Sequence, residues 1–118
     1  MQVLVIGEHP LSIEDVVAVA RQEKRVALPD SNEWHNLIQR GADFLDQLLQ
    51  DEGVIYGVTT GYGDSCLVEI PAHQVNELPL HLSRFHGCGL GQNLDLISAR
   101  AVVVTRLCSL ARGYSGVS

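Results

Sequence analysis

The spacing of apolar positions changes several times along the chain, and each change marks an element. Gln2 to Ile6 is rich in β-formers and predicts a short strand. Gly7-Glu8-His9-Pro10 then turns the chain. Ser12, with Asp15 three residues on, has the form of a helix N-cap and its capping-box partner, and Leu11 and Val16 are placed for a hydrophobic staple. Ile13, Val16, Val17 and Ala20 follow at helical spacing. This helix is expected to run to Lys24-Arg25, where cations suit a C-terminal dipole, with Val26 to Pro29 as an extended link. Asp30 or Ser31 caps a second helix. Its stripe is Trp34, Leu37, Ile38, Gly41, Leu45, Leu48 and Leu49, which places Trp34 in the core and His35 outside. Gly53 is the expected stop.

From there the periodicity gives way to glycine. Val54-Ile55 leads into Tyr56-Gly57-Val58-Thr59-Thr60-Gly61-Tyr62-Gly63-Asp64. The plainest reading is a strand and a tight turn, with the tyrosines as packing. The sharper one is an ordered loop that carries reactive side chains. Leu67 to Ile70 and Pro71 follow, then a helical pattern from Ala72 to Phe85 that Pro79 must break, kink or begin. His86-Gly87-Cys88-Gly89-Leu90-Gly91 is a second glycine loop. Beyond it, Asn93 or Asp95 caps a helix from about Leu96 to Arg112, apolar on nearly every face and so expected to be buried, with Gly113 as its stop. The expected fold is mainly α, with short N-terminal strands and two glycine-rich loops. Residues 1–118 are taken as a single domain, with no internal repeat, low-complexity tract or linker.

Composition narrows the function classes. Hydrophobic residues make up 46% and charged residues 19%, a globular balance. Net charge is −6, and the eight Lys and Arg residues form no basic run, which argues against nucleic acid as a partner. No basic amphipathic helix or membrane-length apolar run is present, and the apolar start lacks a signal peptide's length and basic lead, so a cytoplasmic location is the expectation. Cys66, Cys88 and Cys108 are odd in number and widely spaced, as expected of reduced thiols.

Candidate chemistry is then weighed site by site. Gly87, Gly89 and Gly91 give G-x-G-x-G without a preceding strand, a weak dinucleotide signal. His73, His81, His86 and Cys88 match no zinc spacing, so no metal is expected. Nothing marks Cys88 as an activated nucleophile, and neither Ser65 nor Ser115 stands in a G-x-S-x-G elbow. Tyr56 is the sharper candidate. A tyrosine titrates ordinarily at about 10, so a base role near neutral pH needs neighbouring donors or cations that favour phenolate.

Three segments together resemble the N-terminal part of the aromatic amino-acid ammonia-lyases and their aminomutase relatives, with histidine ammonia-lyase the nearest type. Tyr56 to Gly63 is similar to that family's Tyr-Gly-Val-(Asn/Thr)-Thr-Gly-(Phe/Tyr)-Gly. Phe85 to Gly91 is similar to its S-H-x-x-G-x-G. Ala99-Arg100-Ala101 through Val117 is similar to its R-A-x-x-x-x-R-x-x-x-L-A-x-G-x-S-G, and Ser12 to Leu28 fits its opening helix. The resemblance thus covers the chain in order and spacing. It implies elimination of ammonia from an aromatic amino acid, with Tyr56 as the catalytic tyrosine on an inner loop. It implies His86 as a contact to the substrate side chain, where a histidine pairs with an imidazole or phenol. Gly57, Thr60, Gly61, Gly63, Gly89 and Gly91 are the implied loop supports. A small amino acid as substrate and a homo-oligomer are further implications.

Several positions depart from the family pattern. Thr59 stands where many histidine-type members have Asn and is more familiar in some aminomutases. Phe85 replaces a common Ser, and Pro79 and His81 stand where Gln and Asn are frequent. The family's prosthetic group, 4-methylideneimidazole-5-one (MIO), forms from an Ala-Ser-Gly triplet, and no such triplet occurs in this sequence. The group is therefore expected to form outside this chain, with no cofactor within it. The expectation is a lyase fragment, inactive by itself, or a truncated relative. The competing readings are an aminomutase or tyrosine lyase on the same scaffold, and a non-catalytic interaction domain.

Overall fold

The computed structural model describes every residue except Glu8, Glu52 and Ser118. The chain falls into two compact units, residues 1–44 with 93–118, and residues 45–92.

The first unit begins with strand β1 (Gln2–Val5), helix α1 (Ile13–Ala20) and strand β2 (Lys24–Ala27). The strands pair in parallel, Gln2 against Lys24 through Val5 against Ala27, with α1 as the crossover that parallel pairing requires. Ser12 caps α1 as its sequence predicts, and the full capping box with Asp15 is present. The expected run of this helix to Lys24-Arg25 is corrected, because the helix ends at Ala20. The amide of Glu23 bonds to the carbonyl of Ala18 at 2.8 Å and that of Gln22 to Val19 at 2.9 Å, with Gln22 at φ 63°. This is a Schellman stop with glutamine where glycine is usual, so no glycine announced it. Lys24 and Arg25, expected at the helix end, instead join Val26 and Ala27 of the extended link in β2, which stops before Leu28. The cation near the helix end comes from elsewhere: Arg100 Nη1 donates to the Ala20 carbonyl at 3.2 Å.

Helix α2 spans Asn32–Gln50. Ser31 is its cap, its hydroxyl accepting from the Trp34 amide at 3.2 Å. Trp34 is half-buried rather than fully enclosed, and its indole N–H donates to the Ala111 carbonyl at 3.1 Å. His35 is exposed as expected. Gly53 closes this stretch through its amide, which bonds to the Leu48 carbonyl at 2.8 Å. In the first unit the α2 backbone meets the chain end, and a Cβ at Gly41 would collide with the Gly113 carbonyl.

The last helix, α4, spans Leu96–Leu110. Asp95 caps it, accepting from the amides of Ile97 and Ser98 at 2.8 and 2.9 Å, and Gly113 follows it at φ 76°. The expected burial of this helix is corrected. Of its residues only Val104 is buried, while Leu96, Val102 and Val103 are exposed. Helix α1 packs on one side, and a helix apolar all round has more apolar surface than that contact covers. Leu4, Ile6, Ala20, Ala42 and Val104 form the buried core of this unit.

In the second unit, helix α3 (Leu78–His86) starts beside Pro79, which occupies the first turn, where a missing amide costs nothing. Short 3-10 turns cover Gly63–Ser65 and Ala72–Gln74. Val54 and Ile55 form no strand, correcting the plain strand-and-turn reading. No helix among the described residues is long and apolar enough to cross a membrane.

Candidate functional site

The tyrosine loop is closed by its own hydrogen bonds. Ile55 accepts backbone bonds from Val58 and Thr59 at 3.0 and 2.9 Å, a single turn that throws Tyr56 outward. Thr60 pairs with Glu69 in an antiparallel bridge, flanked by Gly61 N–H to Val68 (2.9 Å) and Ile70 N–H to Thr59 (2.9 Å). Thr60 is only 2% exposed and Gly61 beside it is also buried, while Tyr56 and Gly63 at the loop's edges are exposed. Its hydroxyl accepts from the Gly57 amide and donates to the Gly61 carbonyl, both at 3.0 Å. The Thr59 hydroxyl accepts from the Ile55 amide at 2.8 Å and donates to the Gly53 carbonyl at 3.1 Å.

Tyr56 is 64% exposed, yet its phenol oxygen is not loose. Gly63, at φ 57°, aims its amide N–H at Tyr56 Oη over 2.9 Å. An amide so directed stabilises negative charge developing on that oxygen. The Tyr62 ring meets Tyr56 edge-on, centroids 6.5 Å apart. It can lie there because residue 57 has no side chain: a Cβ would stand 2.9 Å from the Tyr62 ring. A Cβ at Gly61 would likewise stand 2.6 Å from the Ser65 carbonyl oxygen. The structure thus brings Tyr56, Gly57, Thr60, Gly61 and Gly63 together. A groove of about 640 Å³ borders the loop through Thr59, Glu69 and Ile70, but Tyr56 is not among its lining residues.

The second loop is built differently. His86 is the last residue of α3, exposed, with its ring 4.7 Å from that of Phe85. The Cys88 thiol reaches the Phe85 carbonyl at 3.2 Å. Gly89 and Gly91 have nothing within 4 Å of a would-be Cβ, and Gly91 sits at φ 115°. Among the described residues no hydrogen bond or ring contact joins His86, Gly89 or Gly91 to the tyrosine loop. No three His, Cys, Asp or Glu side chains among them gather as a metal site, so His73, His81, His86 and Cys88 are not brought together. The roles of Thr59 and Tyr62 escape a motif reading. The available signal was two consecutive threonines within side-chain reach of amides three and four residues back.

The sequence pattern of the aromatic amino acid lyases matches residues 11–118. The chain belongs to that family. It is 36% identical over 114 residues to a histidine ammonia-lyase of Clostridium tetani, spanning 97% of this chain and 22% of the relative. A histidine ammonia-lyase of Streptococcus gordonii is also 36% identical, over 94% of this chain and 21% of its own length. The fold superposes on a tyrosine aminomutase of Streptomyces globisporus with TM-score 0.86 and 32% identity, over 97% of this chain and 21% of that one. The phenylalanine aminomutase of Pantoea agglomerans gives 0.81 and 30%, over 96% and 21%. The chain therefore spans about a fifth of the length of the curated relatives it matches. The mainly helical fold with short N-terminal strands is that of the matching part of these enzymes.

Proposed function

We propose that this segment supplies the tyrosine-bearing part of a lyase that eliminates ammonia from an aromatic amino acid, histidine foremost. The observation that carries the reading is the Tyr56 phenol oxygen, exposed on a glycine loop and held by the Gly63 amide. In the elimination, Tyr56 acts as phenolate, its own proton having gone to solvent, and its Oη takes the proton from the substrate's β-carbon to become phenol again. The electron pair of that C–H bond becomes the new double bond, and the nitrogen on the α-carbon leaves as ammonia. Proton transfer by a positioned side chain is worth about 10²–10⁴ in rate. The Gly63 N–H offsets negative charge on the phenol oxygen before the proton arrives. MIO, when bound, supplies the electrophile that makes the nitrogen a better leaving group. This sequence has no Ala-Ser-Gly to form it, so the group would come from elsewhere in the protein, and the exposed, amide-held phenol of Tyr56 is the residue here that would act beside it.

His86 is proposed to contact the substrate side chain, offering a ring nitrogen to an imidazole or phenol. Histidine as substrate is supported by the histidine ammonia-lyases at 36% identity. An aminomutase is the second reading, favoured by Thr59 and by the close superposition on a tyrosine aminomutase. A cytoplasmic homo-oligomer is part of the proposal.

Grafting residues 1–118 in place of the matching segment of the Clostridium tetani relative tests this. Ammonia release from histidine by the graft, and none from the isolated chain, is the expected outcome. Release by the isolated chain overturns the assignment of the electrophile to another part of the protein.

A further inference from the structure

The two amides that flank Tyr56 belong to Ile55 and Gly57, and each is bound by a threonine hydroxyl. Thr59 Oγ1 accepts from Ile55 N–H at 2.8 Å, and Thr60 Oγ1 accepts from Gly57 N–H at 3.0 Å. Both hydroxyls also donate, to the Gly53 and Gly61 carbonyls, so neither is free to rotate away. The threonine backbones are themselves fixed. Thr59 C=O accepts from Ile70, and Gly61 N–H donates to Val68, at 2.9 Å each. We propose that Thr59 and Thr60 are positioning residues that clamp the backbone on either side of Tyr56 to the Val68–Ile70 segment, and so set the phenol where the Gly63 amide meets it. The inference rests on the proposed role of Tyr56 and adds what holds that residue in place.

The chemistry of the clamp is neutral and local. It uses two hydroxyls that act as donor and acceptor at once, which valine matches in shape but not in function. Without the clamp the 55–57 segment keeps only the turn bonds from Val58 and Thr59, while the Gly63 end of the loop stays attached through Gly61. The separation between Tyr56 Oη and Gly63 N is then no longer determined. That bond is seven residues long in sequence and touches neither threonine side chain, so it reports positioning rather than mere loss of a local contact.

The test is amide exchange and side-chain NMR on the 118-residue chain carrying Thr60→Val or Thr59→Val. Thr60→Val is expected to speed exchange at Gly57 about tenfold, the loss of one hydrogen bond. Exchange at Gly63 is expected to rise with it, and the Tyr56 ring signals to move. The Gly61 and Ile70 amides keep their protection, showing that the bridge survives. Thr59→Val is expected to do the same through Ile55, and Thr60→Ser, which restores the hydroxyl, to return the Gly63 and Tyr56 signals. If Thr60→Val loses the bridge as well, Thr59→Val carries the test, because its side-chain partners lie outside the bridge. Unchanged Gly63 exchange and unchanged Tyr56 signals in a variant whose Gly57 or Ile55 amide has been released overturn the proposal. None of these readouts needs turnover, so a failure of the clamp is distinct from a failure of the lyase reading, which the graft decides.

Discussion

The two glycine loops look alike in sequence and are made in opposite ways. In the tyrosine loop the glycines at 57 and 61 are required by what stands against them, the Tyr62 ring and the Ser65 carbonyl. In the histidine loop the Gly87 amide closes α3 on the Ser83 carbonyl at 2.9 Å and the Cys88 thiol reaches the Phe85 carbonyl, but beyond them the chain is open and Gly89 meets nothing. One loop is a framework that aims a single phenol oxygen. The other is an open stretch at a helix end that presents an imidazole. The difference teaches that a run of glycines has no meaning until its neighbours are known: glycine makes room at 57, 61 and 87 and faces empty space at 63, 89 and 91.

The strongest way to break the comparison is chemical. In the grafted enzyme, Tyr56→Phe should lower kcat by about 10²–10⁴ while histidine still binds, because only the hydroxyl is removed. A near-native kcat would reduce Tyr56 to packing and make the two loops equivalent.

Next in size is Gly61→Ala. The added Cβ meets backbone rather than a flexible tip, and overpacking of that kind costs about 1–3 kcal/mol. Amide exchange at position 61 and at Ile70 should show the Thr60–Glu69 bridge loosened. Retained protection would mean the loop absorbs the methyl group.

His86→Leu tests the open loop as a specificity element. The kcat/KM ratio of histidine to phenylalanine should fall about tenfold in the grafted enzyme, the loss of one hydrogen bond. An unchanged ratio removes His86 from the substrate's surroundings.

Acid sharpens the contrast from outside both loops. Asp15 accepts from Lys24 Nζ at 2.9 Å, from the Ser12 hydroxyl and amide at 3.0 and 3.3 Å, and from His9 at 3.3 Å. The Lys24 ammonium first, and then Ser12, hold its carboxyl well below the ordinary value of 3.8. A depressed folded-state pKa contributes stability that is fully present above the unfolded value and lost as pH falls below it. The first unit should therefore lose stability below about pH 4. The threonine clamp has no ionising partner and should hold over the same range. Thermal melts of wild type and Asp15→Asn from pH 7 to 3 check this, and an equal acid loss in both would clear Asp15.

The smallest expected effect is Gly89→Ala, within about 0.5 kcal/mol, since a Cβ there meets open space. A larger loss, read from the melting temperature, would show that the second loop is packed after all.

Much of the fold was legible where a residue acts on its own sequence neighbours. Ser12, Ser31 and Asp95 are caps whose partners lie two or three residues away, so the pattern places Ser12 outright and narrows the other two to Asp30 or Ser31 and Asn93 or Asp95. The end of α1 was not legible, because Gln22 takes a left-handed conformation that its side chain does not advertise. The exposure of α4 was not legible either, since how much covers an apolar helix is a tertiary fact. At the candidate site, Tyr56 and its glycines stood out as a motif. Thr59 was read only as a departure from a family pattern, whereas its hydroxyl bonds on both sides are a matter of three-dimensional reach.

Trp34 carries a practical consequence. It is the sole tryptophan, and its indole nitrogen is bonded to a carbonyl 77 residues further along. Release of that nitrogen to water changes the polarity around the chromophore, so its emission is a built-in optical gauge of the first unit alone. The three tyrosines, Tyr56 and Tyr62 in the second unit and Tyr114 in the first, absorb but do not share that fluorescence band. Selective excitation of the indole therefore follows the first unit by itself in a melting experiment, without any label attached.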